Sequence, residues 1–500
     1  MNIEKIESIA KRRGIIFPSS EIYGGLSGFF DYGPVGKLLK QKIKKSWKEF
    51  FLKPDNIPEI ETSLVTHEKV WKASGHVNSF IDPLTQCDKC KRFYRADNLI
   101  EETTGKFVEG MESEELTKII KENKIRCPKC KGSLGDVKVF NLMLSSNVGP
   151  VAGSTAYLRP ETAQGIFINF KNLVASMRAT LPFSVAQIGT SYRNEISPRQ
   201  WIMRLREFRQ MEIETFFNPK KSDQVANFDK FAKTKIKLLT REQQKKKGDP
   251  IDITAQDTVK KNIIPNNFLA YYLAKEFLWY QQLGIPAEAL RFRHMLPEET
   301  PHYSSGNFDL EIKFDFGWKE VVGNSYRNDH DLQNHMKLSG ENFSIVDGEE
   351  KIVPHIVEPS FGIDRTIYAV LLYSYREGKD RGWEWLEFPP KIAPYVAGIF
   401  PLVNKDKIPE KSIEVFNLLR NEFDVFYDDS GSIGKRYARS DEIGTLTTIT
   451  CDYQTLTENT VTIRDRNTTK QIRVSIQDLK STLSKFLEGA TFEEMGKFVK

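Results

Sequence analysis

From residue 34 onward, hydrophobic positions recur at intervals of three and four. Val35, Leu38, Leu39, Ile43, Trp47 and Phe50 make one stripe, the spacing of a half-buried helix. Pro34 stands at its start, where a missing N–H costs nothing. Pro54, Asn56 and Pro58 mark its end. Residues 60–65 then read as a strand. Over 186–195 and 207–217 the pattern changes to alternation. In the second segment Phe208, Gln210, Glu212 and Glu214 share one face, and Met211, Ile213 and Thr215 the other. The apolar set predicts a core face. The polar set is an aromatic ring followed by two carboxylates, which are costly to bury unpaired and would be satisfied by a cationic ligand.

A further strand ends at Glu358-Pro359, and Gly362 opens a helix with Ile363, Ile367, Val370 and Leu371 on its apolar stripe. Arg365 lies in the first turn of that helix. It opposes the helix dipole there, but it is well placed to meet an anion beside free N–H groups. Arg193 ends the earlier strand, ahead of a turn carrying Pro198, Arg199, Arg204 and Arg206. Two cations on separate strand ends suit phosphoryl or nucleotidyl chemistry. Taken singly, each arginine reads more readily as a surface residue in a salt bridge, since exposed pairs are common.

Two stretches interrupt these patterns. Residues 85–137 and 218–265 are polar and Lys/Glu-rich, and both are expected as insertions, the second on the surface. Four of the five cysteines fall in Cys87-Asp-Lys-Cys90 and Cys127-Pro-Lys-Cys130. This spacing predicts a tetrahedral structural zinc, Zn²⁺ held by Cys87, Cys90, Cys127 and Cys130, with a helical hairpin between the pairs. Cys451 stands alone and is expected in a core. After a linker at 388–394, a strand at 395–402, a helix at 409–421 and a strand at 425–428 predict a small α/β domain.

Composition narrows the class. At 500 residues, 39% hydrophobic and 28% charged, the chain is expected to be globular with about three domains. The net charge of +6 suits a phosphate-rich partner without requiring one. The start MNIEKIESIAKRRG lacks an apolar stretch of the signal type. No run of 18 apolar residues exists, so no membrane span is expected, and the location is expected to be cytoplasmic. The 241–247 run reads as a solvated face. Lys435, Arg436 and Arg439 are candidates to grip RNA backbone.

Arg193-Asn-Glu195 with Phe208 resembles motif 2 of the class II aminoacyl-tRNA synthetases, and Gly362-Ile-Asp-Arg365 resembles motif 3. The helix at 35–52 and the segment after it look like motif 1. Ser20-Glu-Ile-Tyr-Gly-Gly-Leu-Ser-Gly28, Asp31-Tyr-Gly-Pro34, Leu158-Arg-Pro-Glu-Thr-Ala-Gln-Gly-Ile-Phe167, Phe208-Arg-Gln-Met-Glu212 and Glu358-Pro-Ser-Phe-Gly-Ile-Asp-Arg365 resemble the dimeric glycyl-tRNA synthetases. Residues 428–445 are similar to that family's anticodon-binding domain. The resemblance implies a multidomain α+β and α/β fold. An antiparallel class II sheet flanked by helices is expected over 1–84 and 138–387, a zinc-knuckle insertion over 85–137, and an anticodon-binding α/β domain over 388–500. It implies a homodimer that uses ATP and Mg²⁺ to join glycine to tRNA(Gly).

By the same resemblance Arg193 holds the α-phosphate and the glycine carboxylate. Glu195 accepts from the adenine amino group, and Phe208 stacks on the ring. ATP contacts are implied for Asn194, Met203, Arg204, Leu205, Arg206, Glu207, Glu320, Val321, Gly362, Ile363 and Asp364, with Arg365 on the γ-phosphate and Glu320 on Mg²⁺. Glycine contacts are implied for Arg95, Glu161, Arg209, Gln210, Met211, Glu212, Glu358, Pro359, Ser360 and Phe361, together with Phe208 and Gly362. Glu161 reads alternatively as an ion-pair partner of Arg159. Synthetases for proline, threonine, serine or histidine, and a nucleic-acid-binding relative without catalysis, remain the rival readings.

Overall fold

The computed structural model describes residues 3–106, 108, 110–150, 154–198, 200–300, 304–379, 381–496 and 498–499. Arg199 of the basic turn lies outside the described residues. Eight strands build the central sheet: β1 Phe183–Tyr192, β2 Glu207–Phe217, β3 Lys235–Leu239, β4 Ile251–Thr254, β5 Leu290–His294, β6 Gly306–Phe314, β7 Gly317–Asn328 and β8 His355–Gly362. Their order is β4-β3-β5-β6-β7-β8-β2-β1. Neighbours run antiparallel, except β3 and β5, which are parallel.

Helices α1 Pro34–Trp47, α2 Asn267–Gln282 and α3 Ile363–Ser374 share one core with the sheet residues. The rings of Trp47, Phe51 and Trp279 meet Phe361 edge-on at 5.7, 5.0 and 5.8 Å between centroids. Each such buried side chain contributes roughly 1.5–3 kcal/mol. The apolar stripe of α1 is the one its spacing predicts, with Val35, Leu39, Ile43 and Trp47 buried. The helix then widens into a π-helical turn, Lys48–Leu52, with Phe51 and Leu52 buried in it. Asn56, in the left-handed region at φ 51°, stops the chain.

Three segments differ from expectation. Residues 60–65 do not form a strand. Ile60 N–H donates to Ala186 at 2.8 Å, and Ala186 N–H donates to Pro58 at 2.9 Å. Thr62 then turns its hydroxyl and carbonyl to Gln187 and Arg159. The strand that does form is Val65–His67, paired with Ser154–Leu158.

Residues 218–265 are not merely a surface insertion, because they supply β3 and β4. Both are short strands at one end of the sheet, with polar side chains on the outer face and apolar ones inward. Lys235 is exposed, whereas Ile236, Leu238 and Ile253 are buried. Residues 388–394 are not a loose linker either. Phe388, Ile392 and Ala393 are buried in the core beneath the central sheet.

The cysteine-bearing unit hangs from a three-stranded sheet of Ile81–Gln86, Phe93–Arg95 and Lys138–Asn141, with Ile81 opposite Asn141. Helices Ala96–Thr104 and Ser113–Glu122 pack Leu99, Ile100, Leu116 and Ile120 into its small core. The C-terminal domain has a five-stranded sheet in the order Val425–Tyr427, Ala397–Pro401, Thr447–Cys451, Thr460–Asp465, Gln471–Ser475 and its own core, which includes Cys451. Among the described residues no helix is long and apolar enough to cross a membrane.

Candidate active site

Pairing across the sheet brings its polar positions together. Asp309, Gly323, Ser360, Glu212 and Gln187 are successive partners along one row across β6, β7, β8, β2 and β1. Asn307, Ser325 and Glu358 lie in a neighbouring row. The alternate positions, among them Leu310, Val322, Val357, Phe361, Met211 and Ile213, belong to the helix-covered core. A cavity of about 260 Å³ opens over the polar face. Its walls include Glu161, Arg193, Phe208, Glu212, Arg327, Glu358 and Arg365.

Carboxylates crowd one stretch of this cavity. Glu212 is 1% exposed. It accepts from Gln210 Nε2 at 2.8 Å and Ser360 Oγ at 2.6 Å, and from the Thr162 hydroxyl. Burial, with Glu161 nearby, raises its pKa. Burial would also raise Glu161, but His76 and Arg327 outweigh it and hold that carboxyl well below its usual range. Burial pushes Glu358 up to about 8 despite Arg327 beside it. Arg327 is 1% exposed and is the cation of the group, ion-paired with Glu161 at 3.4 Å, Asp331 at 2.9 Å and Glu358. Gln164 ties Asp331 to Glu161, donating to each at 2.7 and 3.0 Å.

The other stretch carries cations and an aromatic face. Phe208 lies four residues before Glu212, about 13 Å along an extended strand. Arg193 stands over its ring with the guanidinium carbon 5.2 Å from the centroid, and donates to Pro160 O at 3.2 Å. Glu195 accepts from Arg204 at 2.7 Å. Arg206 N–H donates to Gly28 O at 2.9 Å and its side chain to Ser27 O at 2.8 Å, which fastens the motif 2 turn to the Gly-rich stretch. Gly28 has φ +80°, and a Cβ there would lie 2.8 Å from Pro198. A larger residue is excluded on both counts.

Arg365 reaches across the helix start to Met203 O at 3.2 Å and Glu320 O at 2.9 Å, with the Glu320 carboxylate at 3.1 Å. Burial alone would raise Glu320, but Arg365 holds it below its usual value. Asp364 faces away from Arg365, accepting from Arg209 N–H at 2.7 Å and from Tyr32.

The cavity thus gathers Glu161, Arg193, Glu195, Met203, Arg204, Leu205, Phe208, Arg209, Gln210, Glu212, Glu320, Val321, Glu358, Ser360, Gly362, Asp364 and Arg365. Asn194, Arg206, Glu207, Met211, Pro359, Phe361, Ile363 and Arg95 are not among its walls. Met211 and Phe361 are buried in the core because strand alternation turns odd and even positions apart, and Ile363 is buried there as the first residue of α3. Arg95 lines an adjacent cavity with Tyr94 and Arg204, bound to Asp82 at 3.2 Å and to Asp97.

Arg159 does not pair with Glu161. Its donors go to Thr190 O and Thr62. Sequence reasoning missed Arg327, His76, Asn307, Asp309 and Ser325. The polar alternation Gly323, Ser325, Arg327 in β7 was the available signal.

Two further groups were expected to bind. The four cysteine sulfurs Cys87, Cys90, Cys127 and Cys130 lie within 4.8 Å of one another, close to the ~3.8 Å sulfur–sulfur edge of a tetrahedral zinc site with Zn–S near 2.3 Å. Gly132 lets the chain pass beside them, since a Cβ there would approach Cys87 Sγ to 3.1 Å and Cys130 Sγ to 3.3 Å. The C-terminal basic cluster is less available. Arg436 is 2% exposed and donates to the carbonyls of Pro401 and Gly431. Arg439 is committed to Asp428 at 2.6 Å and to Ser430 O. Lys435 remains exposed.

Comparison with known proteins accords with this geometry. Residues 152–373 match the tRNA synthetase class II core domain (G, H, P, S and T), and residues 397–486 match an anticodon binding domain. The chain is 42% identical to the glycine–tRNA ligase of Pyrococcus abyssi, over 97% of this chain and 99% of that one. It is 40% identical to the glycine–tRNA ligase of Aeropyrum pernix, over 99% of both, and 39% identical to that of Methanothermobacter thermautotrophicus, over 97% and 99%. A crystal structure of prolyl-tRNA synthetase from Cryptosporidium parvum superposes with a TM-score of 0.59 at 13% identity, covering 97% of this chain and 75% of that one, a likeness of fold. With near-complete coverage at about two-fifths identity and a class II core to match, the chain belongs to the glycine–tRNA ligase family.

Proposed function

We propose that this cavity activates glycine with ATP, releasing pyrophosphate, and then passes the glycyl group to the 3′-terminal adenosine of tRNA(Gly). The reading is carried by one observation. Arg193, Phe208 and Arg365 share a cavity with the acidic group Glu161, Glu212 and Glu358. Adenine stacks on Phe208 and meets Glu195. Arg193 bridges the α-phosphate and the glycine carboxylate, and Arg365 takes the γ-phosphate. No side chain acts as a covalent nucleophile, so positioning and fixed charge supply the rate.

Glycine offers only an ammonium and a carboxylate. The carboxylates take the ammonium, with Ser360 and Gln210 framing Glu212. Larger amino acids meet occupied volume and are rejected by overlap, which removes the need for an editing site. The Glu320 carboxylate suits Mg²⁺, which on binding neutralises phosphate charge. The four sulfurs suit a structural zinc with no open position.

A homodimer is expected of a chain in this family. The five cysteines are unpaired, in keeping with a reducing cytoplasm.

ATP–pyrophosphate exchange tests the main reading. Exchange should depend on glycine. Exchange with another amino acid and not with glycine overturns it. Metal analysis should find one zinc per chain, and a chelator that removes it should lower the thermal stability.

A further inference from the structure

Beneath the acidic end of the cavity lies Glu214, which the mechanism above does not use. It is 0% exposed, and both of its carboxylate oxygens lack a hydrogen-bond partner. It shares the face of β2 with Glu212, one step deeper. The groups that act on it are Glu358, Arg327, Glu212 and Asp331. Tyr272, from α2, faces the other side of β2, where its hydroxyl is taken by Thr215 at 2.7 Å.

Counting charge shows the difficulty. Glu161, Glu212, Glu214, Glu358 and Asp331 are five buried acids around Arg327. Glu161, Asp331 and Glu358 pair with Arg327 directly. Glu212 has three donors. Among the described residues Glu214 has neither a direct ion pair nor a donor, only Arg327 at longer range, and an ionised carboxylate in that position is untenable. Glu358 falls opposite Glu214, between the Glu212–Ser360 and Thr215–Val357 pairs of β2 and β8, and its Oε2 lies against Arg327 Nε.

We propose that Glu214 is a positioning residue that stays a neutral carboxylic acid and donates its proton in a hydrogen bond to Glu358, orienting that carboxylate toward the glycine ammonium. This deepens the proposed glycine site and rests on it. When the ammonium arrives Glu358 loses its proton to solvent and Glu214 keeps its own. The acid end then presents a negative charge above a neutral floor, rather than two repelling anions. Glu214 touches no substrate atom.

The test uses the full-length enzyme with Glu214→Gln and Glu214→Leu. Gln keeps the shape and an N–H donor, so the glycine KM should stay within about threefold of wild type. Leu fills the space without a donor, so the glycine KM should rise about tenfold or more while the ATP KM is unchanged. Infrared spectra of the wild type at neutral pH should contain a buried protonated-carboxyl band that Glu214→Gln removes. Equal damage from Gln and Leu, or a spectrum lacking that band, overturns the proposal. Wild-type exchange that ignores glycine would instead sink the site assignment on which it rests. If Glu214→Leu does not fold, the Gln variant and the spectrum still decide.

Discussion

Two buried acidic centres of this chain invite comparison. In the C-terminal domain Asp441 is 0% exposed, yet it is fully served. Arg464 donates to both oxygens at 2.9 Å, Trp383 Nε1 donates at 3.0 Å, and Arg381 at 3.4 Å. In the cavity, Gln210 and Asn307 have buried acceptor atoms without partners among the described residues. Both centres are buried and charged, so burial alone does not separate structure from function. What separates them is saturation. Asp441 has spent its hydrogen-bonding capacity on joining two domains, whereas the cavity holds capacity in reserve for a ligand.

The comparison can be broken at either end. The largest expected effect is at Asp441. Asp441→Ala strands Arg464, while Arg381 keeps its bonds to the carbonyls of Arg466 and Asn467, and should cost about 3–5 kcal/mol of stability in equilibrium denaturation. Glycine-dependent exchange per folded molecule should change little. Next is Arg365→Ala, which should slow adenylate formation by about 10²–10³-fold in single-turnover kinetics. Its melting temperature should hardly move, because Arg365 serves mostly carbonyls at the cavity rim.

A smaller effect follows pH. Burial first, against Arg327, sets Glu358 near 8. Between the ordinary carboxyl range and that value the folded protein holds a proton that the unfolded chain does not. This group's contribution to stability is therefore fully present at low pH and is lost as pH rises through about 8. Glycine binding has the opposite sign, because the ammonium needs the ionised form. The glycine KM should fall as pH climbs toward 8, by up to about tenfold per unit, in exchange assays across that range. The smallest effect is at Lys435. Lys435→Ala should weaken tRNA binding modestly and lower the salt slope by about 1, leaving glycine-dependent exchange unaltered.

Much of the cationic and aromatic end of the cavity was legible in the chain. Phe208 and Arg193 sit where two-residue alternation and a strand end place them, and Arg365 sits in the first turn of its helix. The acidic end was only partly legible, although alternation does place Glu212 there. Arg327 lies in β7 where the pairing with β8 shifts register, between Tyr326 and Asn328. The alternation Gly323, Ser325 reaches it, but a sequence does not show which face a residue at such an irregularity takes.

Met211, Pro359 and Phe361 came in as members of contiguous motifs, although a strand sends neighbouring side chains to opposite faces. Strands β3 and β4 were hidden because they are short and alternate lysine or aspartate with the apolar positions that they bury. Arg436 looked like an RNA contact because a sequence does not reveal that a guanidinium has been claimed by two carbonyls.

The pairing of Ile81 with Asn141 has a consequence for how such a chain can vary. The strands by which the backbone leaves and rejoins the catalytic body are side by side, so the cysteine-bearing unit is a pendant on a single stem. It can be lengthened, shortened or exchanged while the stem's two ends stay in register. Changes in size there need not be transmitted to the sheet that holds the substrates.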